Sequence, residues 1–136
     1  MFVKKPFALL TLFTILLFTS NCGGDSEEDY VINPEFTKHV SAFTSGVISS
    51  QSAIEIELTK PYEGKFVPNE AIKEELFEIS PAISGKTVWL DSRTIQFIPD
   101  DKFESGETYW VEFDLAKVAS VPKDLSIFKF PISIIE

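Results

Sequence analysis

The stretch Thr108-Tyr109-Trp110-Val111-Glu112-Phe113-Asp114-Leu115 decides the fold. Tyr109, Val111, Phe113 and Leu115 occupy every second position, with Trp110, Glu112 and Asp114 between them. Successive side chains of an extended chain point to opposite faces, so the apolar set shares one side and the polar set the other. A helix would need apolar residues to recur every 3.6 positions, which this segment does not do. It therefore reads as a strand with one core face and one wet face.

The same period of two recurs on both sides of this stretch. Ile54, Ile56 and Leu58 alternate with Glu55, Glu57 and Thr59. Ile95 and Phe97 alternate with Thr94 and Gln96, and Phe128, Phe130, Ile132 and Ile134 with Ile127, Lys129, Pro131 and Ser133. Further strands are expected at residues 40–48, 76–80 and 86–90. Turn-forming pairs separate them: Lys60-Pro61, Ser80-Pro81, Ser84-Gly85, Asp91-Ser92, Pro99-Asp100-Asp101 and Ser105-Gly106. One helical turn is expected over residues 68–75, where Asn69 could cap and Ile72 and Leu76 would share a face. Pro131 cannot donate a ladder hydrogen bond, so its strand should have an open edge at that point. Many short strands with regular turn signals and no long helical pattern fit two packed sheets better than any alternation of strands and helices.

Phe103-Glu104-Ser105-Gly106-Glu107-Thr108-Tyr109 immediately precedes the strongest strand. A Tyr in that place either folds its hydroxyl back onto the turn, as in the tyrosine corner of immunoglobulin-like sandwiches, or is a core residue with a wet tip. Both put Tyr109 on the inner face. The order of features across residues 40–134 carries a family resemblance. It begins with Ser41-Ala42-Phe43-Thr44-Ser45-Gly46-Val47-Ile48-Ser49 and the strand of Ile54 to Leu58. It continues with Leu76-Phe77-Glu78-Ile79-Ser80-Pro81, Gly85-Lys86-Thr87-Val88-Trp89 and Thr94-Ile95-Gln96-Phe97-Ile98-Pro99, and ends with the Gly106 to Tyr109 motif. This order resembles the first, immunoglobulin-like domain of bacterial lipid-anchored alpha-2-macroglobulin-family proteins, and also the broader set of bacterial Ig-like modules. The resemblance implies an all-β, Ig-like antiparallel β-sandwich of about seven strands. A signal helix and a flexible acidic tether would precede it. It also implies a protease-inhibitor function for the longer protein. The bait region and the Cys-Gly-Glu-Gln thioester motif of that family are absent from this sequence. The chain ends within an apolar strand, at Ile134-Ile135-Glu136, so the expectation is either a fragment or truncated reading frame, or a domain that expects a neighbour.

The opening segment reads as an address. Lys4 and Lys5 precede an apolar run from Phe7 to Phe18, followed by Thr19-Ser20-Asn21-Cys22-Gly23-Gly24. That is the layout of a secretory signal over residues 1–21. As a helix the apolar run would rise only about 18 Å, short of the roughly 30 Å hydrocarbon core of a bilayer. Cys22, the one cysteine, sits where the lipobox of bacterial lipoproteins places its lipidated residue, although Thr19-Ser20-Asn21 departs from the usual small-residue ending. The resemblance implies maturation at Cys22 and acyl chains that hold the protein on a membrane, with an outer-membrane location, periplasmic or surface-facing. The other reading is an unpaired thiol left after ordinary signal cleavage.

Residues 22–36 then read as a flexible tether, opened by Gly23-Gly24-Asp25-Ser26-Glu27-Glu28-Asp29, and residues 37–136 as the sandwich. The acidic run is either a solvated spacer or a sorting signal of the kind that resembles surface-export signals of some lipoproteins. It lacks the glycine-punctuated ligand loop of a calcium site.

Composition limits the chemistry. The 21 acidic residues against 12 basic give a net charge of −9, the wrong sign for tracking a phosphate backbone, so nucleic acid is a poor partner. One Cys and one His leave no set for zinc or for Ser/His catalysis. His39 reads as a surface imidazole and Asp100-Asp101 as turn residues after Pro99. No Gly-x-Ser-x-Gly, phosphate-binding Gly loop or His-Glu-x-x-His occurs. The expectation is a non-enzyme with no catalytic residues, no cofactor and no metal. It is either the anchoring domain of a macroglobulin-type protease trap or a stand-alone Ig-like envelope lipoprotein that contacts glycan or protein. A hydrolase with an unrecognised site is a distant third.

One residue asks for a partner. Trp110 falls on the wet face between Tyr109 and Val111, sharing that face with Glu112 and Asp114. Interfaces favour Trp where free surfaces seldom use it. Either a loop or the connection over residues 60–75 folds over it, or Trp110 meets a following domain or an external protein.

Overall fold

The alternating segments form eight strands in a computed structural model that describes residues 30–136. They are β1 (Val40–Phe43), β2 (Gly46–Ile48), β3 (Ile54–Leu58), β4 (Phe77–Ser80), β5 (Gly85–Trp89), β6 (Thr94–Pro99), β7 (Thr108–Asp114) and β8 (Ile127–Ile134). Two four-stranded sheets, ordered β1-β3-β6-β5 and β2-β8-β7-β4, pack face to face as an Ig-like sandwich. Every pairing is antiparallel except that of β2 with β8. The expected signal segment, Cys22 and the acidic run to Asp29 lie outside the described residues.

The core is the set that the alternation marks. Tyr109, Val111, Phe113 and Leu115 are buried, as are Phe128, Phe130, Ile132 and Ile134 from β8 and Ile54, Ile56, Leu58, Ile95 and Phe97 from the facing sheet. Glu112 and Lys129 stay partly in water on the opposite face of the same strands.

Three expectations change in the structure. Residues 40–48 are two strands rather than one, which makes eight strands in place of about seven. Gly46 adopts φ 73°, a left-handed conformation open to glycine, and the chain there leaves the first sheet for the second. The side chain of Thr44 helps hold this switch, its Oγ1 accepting from the Glu55 N–H at 2.9 Å.

The helical turn expected over residues 68–75 is absent. Pro68 and Asn69 instead occupy the centre of a tight turn closed by Glu70 N–H to Val67 O at 3.3 Å, with Asn69 at φ 63°. Pro then a left-handed Asn is the sequence of a type II turn. Beyond it Ala71 bridges Val88, Asn69 N–H donates to Trp89 O at 2.8 Å and Ile72 N–H to Thr87 O at 2.9 Å. These residues cover the free edge of β5, which satisfies backbone groups that a helix would have left open.

The folded unit also takes in residues assigned to the tether. Pro34–Lys38 is a 3-10 helix, capped by Asn33 Oδ1 accepting from Glu35 N–H at 3.0 Å, and Phe36 joins the core against Phe128 with ring centroids 4.9 Å apart.

Pro131 lies where its missing donor costs least. Ile134 exchanges hydrogen bonds with the chain leading into β7, through Gly106 and Glu107. Alternation along the ladder then turns the nitrogen of Pro131 to the other side of β8. On that side β2 pairs only with Ile132, Ser133 and Ile134, so the proline faces an open edge.

Candidate functional site

Trp110 sits at the middle of the outer face of the β2-β8-β7-β4 sheet. Its cross-strand neighbours are Ser80 on β4 and Pro131 on β8. The row above is Thr108, Ser133 and Val47, all uncharged, and the row below is Glu78, Glu112 and Lys129. Register alone thus makes a boundary on this face between an uncharged half and a charged half.

The Trp110 ring is half-buried, and the chain segment that covers it is not the connection after Lys60. Tyr30 packs edge-on against it, centroids 5.0 Å apart at 81°. From the same sheet Lys129 Nζ lies 5.2 Å from the Trp110 centroid, within cation–π range, while also 3.6 Å from Glu112 Oε1. Burial against the sheet, and next the Glu112 carboxylate, raise the Tyr30 phenol above its ordinary pKa. Val31 and Val47 remain largely exposed beside this cluster or in the row above it. Tyr30 was not singled out from sequence, because it follows an acidic run. The signal that could have found it is the trio Tyr30-Val31-Ile32, apolar where a solvated spacer has no need of apolar residues.

The connection after Lys60 covers the other tryptophan. Tyr62 stacks on Trp89 at 4.6 Å and 15°, Phe66 tilts against it at 5.4 Å, and Trp89 is fully inside. Two concavities flank this connection. One, of about 390 Å3, is lined by Tyr62, Phe66, Val67, Ile72, Leu76 and Val118 among others. The second, of about 410 Å3, gathers Lys38, His39, Lys60, Glu63 and Lys117 around Tyr62. Two of its lysines are engaged: Lys38 pairs with Glu35, and Lys117 lies 3.4 Å from Asp114 and donates to Glu75 O at 2.9 Å.

His39 therefore lines a cleft, while Asp100 and Asp101 lie in the β6–β7 turn, Asp100 N–H donating to Ser84 O at 2.8 Å. The structure does not bring them together. Among the described residues no group of three or more His, Cys, Asp or Glu is placed to hold a metal ion, and no helix is long and apolar enough to cross a membrane. Cys22 lies outside the described residues.

The turn motif before β7 resolves the role of its two marked residues. Gly106 takes φ 78°, which reserves the position for glycine. The Tyr109 hydroxyl accepts from Glu104 N–H at 3.1 Å, and its ring meets Phe103 edge-on at 4.9 Å. The hydroxyl thus returns to the preceding turn, as in a tyrosine corner.

Comparison with protein-family models and with curated proteins finds no match. Among solved structures, the chain is similar to an L,D-transpeptidase from Mycobacterium tuberculosis H37Rv, at 15% identity and TM-score 0.49 over 71% of this chain and 40% of that one. It is similar to L,D-transpeptidase 3 from Mycobacterium tuberculosis in complex with a faropenem-derived adduct, at 14% identity and TM-score 0.48 over 74% and 39%. An L,D-transpeptidase from Mycobacterium smegmatis gives 12% identity and TM-score 0.49 over 71% and 39%. The chain spans about two fifths of the length of these proteins. At that likeness the activity named for them stays with them.

Proposed function

We propose that this chain is a non-catalytic, lipid-anchored domain of the bacterial cell envelope, the membrane-proximal first domain of a protease-trapping alpha-2-macroglobulin-type protein. The observation that carries the anchoring is the position of Cys22, directly after a charged n-region, an apolar run and a short polar stretch. The macroglobulin assignment rests on the order of motifs across residues 40–134, together with a sandwich of the kind that resemblance implies. In this reading the domain holds a larger trap near the membrane and contributes a face, centred on Trp110, for a following domain or an envelope protein.

Two concavities of about 390 and 410 Å3 favour one second reading, a stand-alone envelope lipoprotein that contacts glycan or protein. The two readings part on what the gene encodes after codon 136. Macroglobulin domains in the same frame support the first, and a stop codon there removes it.

Anchoring is tested directly. Cys22→Ser should abolish labelling by a fatty-acid analogue and release the protein from membranes. Equal labelling of mutant and wild type would reject the lipid anchor.

A further inference from the structure

Tyr30 and Trp110 meet across 80 positions of sequence, and neither belongs to the core cluster. Trp110 lies three residues from Phe113, about 10 Å along β7. The cross-strand partner of Phe113 is Phe128, on which Phe36 packs. Tyr30 thus lies on the outer sheet face while Phe36, six residues later, packs in the core between the sheets, so residues 30–36 carry the chain from the outer face into the sandwich before β1. Ile32 is half-buried against the core and Asn33 caps the 3-10 helix, so the path is held at several points. The outermost of them is the edge-on contact of Tyr30 with Trp110.

We propose that the Tyr30–Trp110 contact is a clasp that sets where the N-terminal segment leaves the domain, at the middle of the β2-β8-β7-β4 sheet rather than at the end of the sandwich where β1 begins. The contact stands independently of lipidation, while its consequence at a membrane rests on the anchoring proposed above. With the clasp closed, the eight residues 22–29 separate Cys22 from the sheet, and at about 3.5 Å per residue they reach no further than about 28 Å. Opening the clasp as far as Asn33 adds residues 30–32 and extends the limit to about 39 Å. A closed clasp thus holds the domain closer to the bilayer, and an open one lets it stand farther off.

The test uses the full chain recovered from membranes and reconstituted in phosphatidylethanolamine/phosphatidylglycerol vesicles carrying a dansyl headgroup acceptor. Trp89→Phe leaves Trp110 as the one indole. If that variant does not fold, Trp110→Phe in the parent chain supplies the Trp89 signal for subtraction. Tyr30→Ala should raise the acrylamide quenching constant of Trp110 about twofold, because an aromatic cover is lost from the ring. It should also lower energy transfer from Trp110 to the dansyl groups, whereas Tyr30→Phe should preserve both values. Unchanged quenching in Tyr30→Ala overturns the clasp. Raised quenching with unchanged transfer overturns its role in setting the exit. Vesicle flotation reads anchoring separately, and the quenching arm needs no membrane, so failure of the lipid anchor and failure of the clasp give different results.

Discussion

Truncating Phe113 to Ala tests the packing on which every other feature depends. Phe113 is completely buried in the middle strand of its sheet pair, facing Phe77 on β4 and Phe128 on β8 as cross-strand partners. Its ring lies 5.0 Å from that of Phe77, which in turn touches Phe97 of the opposite sheet at 5.7 Å. Loss of the ring forfeits about 2–3 kcal/mol of transfer free energy. The rigid strands around it cannot close the gap, so a cavity term raises the total to about 3–5 kcal/mol. Against a global stability of roughly 5–15 kcal/mol for a domain of this size, that is a large fraction. At about 4–8 °C per kcal/mol, the melting midpoint should fall by about 12–40 °C. Glu112→Ala is the control one residue away on the wet face. It removes an ion pair with Lys129 whose partners are 39% and 44% exposed, and also a carboxylate directly opposite Glu78. These small effects have opposite sign, so the change should stay within about 0.5 kcal/mol. Urea unfolding followed by far-UV circular dichroism measures both variants. Equal shifts of the two midpoints would refute the assignment of faces.

Three further predictions address the turns. Tyr109→Phe keeps the ring against Phe103 but leaves Glu104 N–H without its acceptor, and should cost about 0.5–1.5 kcal/mol in the same urea experiment. Gly46→Ala meets no atom within 4 Å, so its cost of about 1–2 kcal/mol should come from the left-handed backbone alone, measured as a drop in melting midpoint with the m-value retained. Asp91 accepts from the N–H groups of Arg93 and Thr94, and the Arg93 hydrogen bond leads in holding its carboxyl below the ordinary value against a smaller opposing effect of desolvation. A depressed folded pKa adds stability above the unfolded value, near 3.9, and loses it as pH falls through the folded value. The stability gap between wild type and Asp91→Ala should therefore narrow on acidification from about pH 5 to about pH 2. A gap that stays constant over that range would exclude the carboxylate as its source.

Most of the core was legible because strand side chains repeat with a period of two and one face of each sheet is dry. That rule assigned Val111, Phe113, Phe128 and Phe130 inward and Glu112 and Lys129 outward without knowledge of any partner strand. It also placed Trp110 on the outer face, and the proline at residue 131 on an open edge. Residues 40–48 are two strands rather than the one expected, since apolar residues lie on both sides of Ser45-Gly46 and only the left-handed backbone at Gly46 marks the change of sheet. The helical turn expected over residues 68–75 fails because helical spacing of Ile72 and Leu76 is equally served by a turn and an edge-covering segment.

The sequence by itself determined which residues of β3, β6, β7 and β8 are buried, the inward place of Tyr109, the turn at Gly106, and the placement of Cys22 behind an apolar run. Those are local properties, set by side-chain period, φ preference and order along the chain. Tertiary structure alone decided that Tyr30 rather than the connection after Lys60 covers Trp110, and that Tyr62 and Phe66 cover Trp89 instead. It also decided that Lys38, Lys60 and Lys117 share a cleft. These contacts join segments far apart in the chain, and no periodicity within either segment encodes them. They follow from which strand lies beside which, and from the direction in which each connection then has to run.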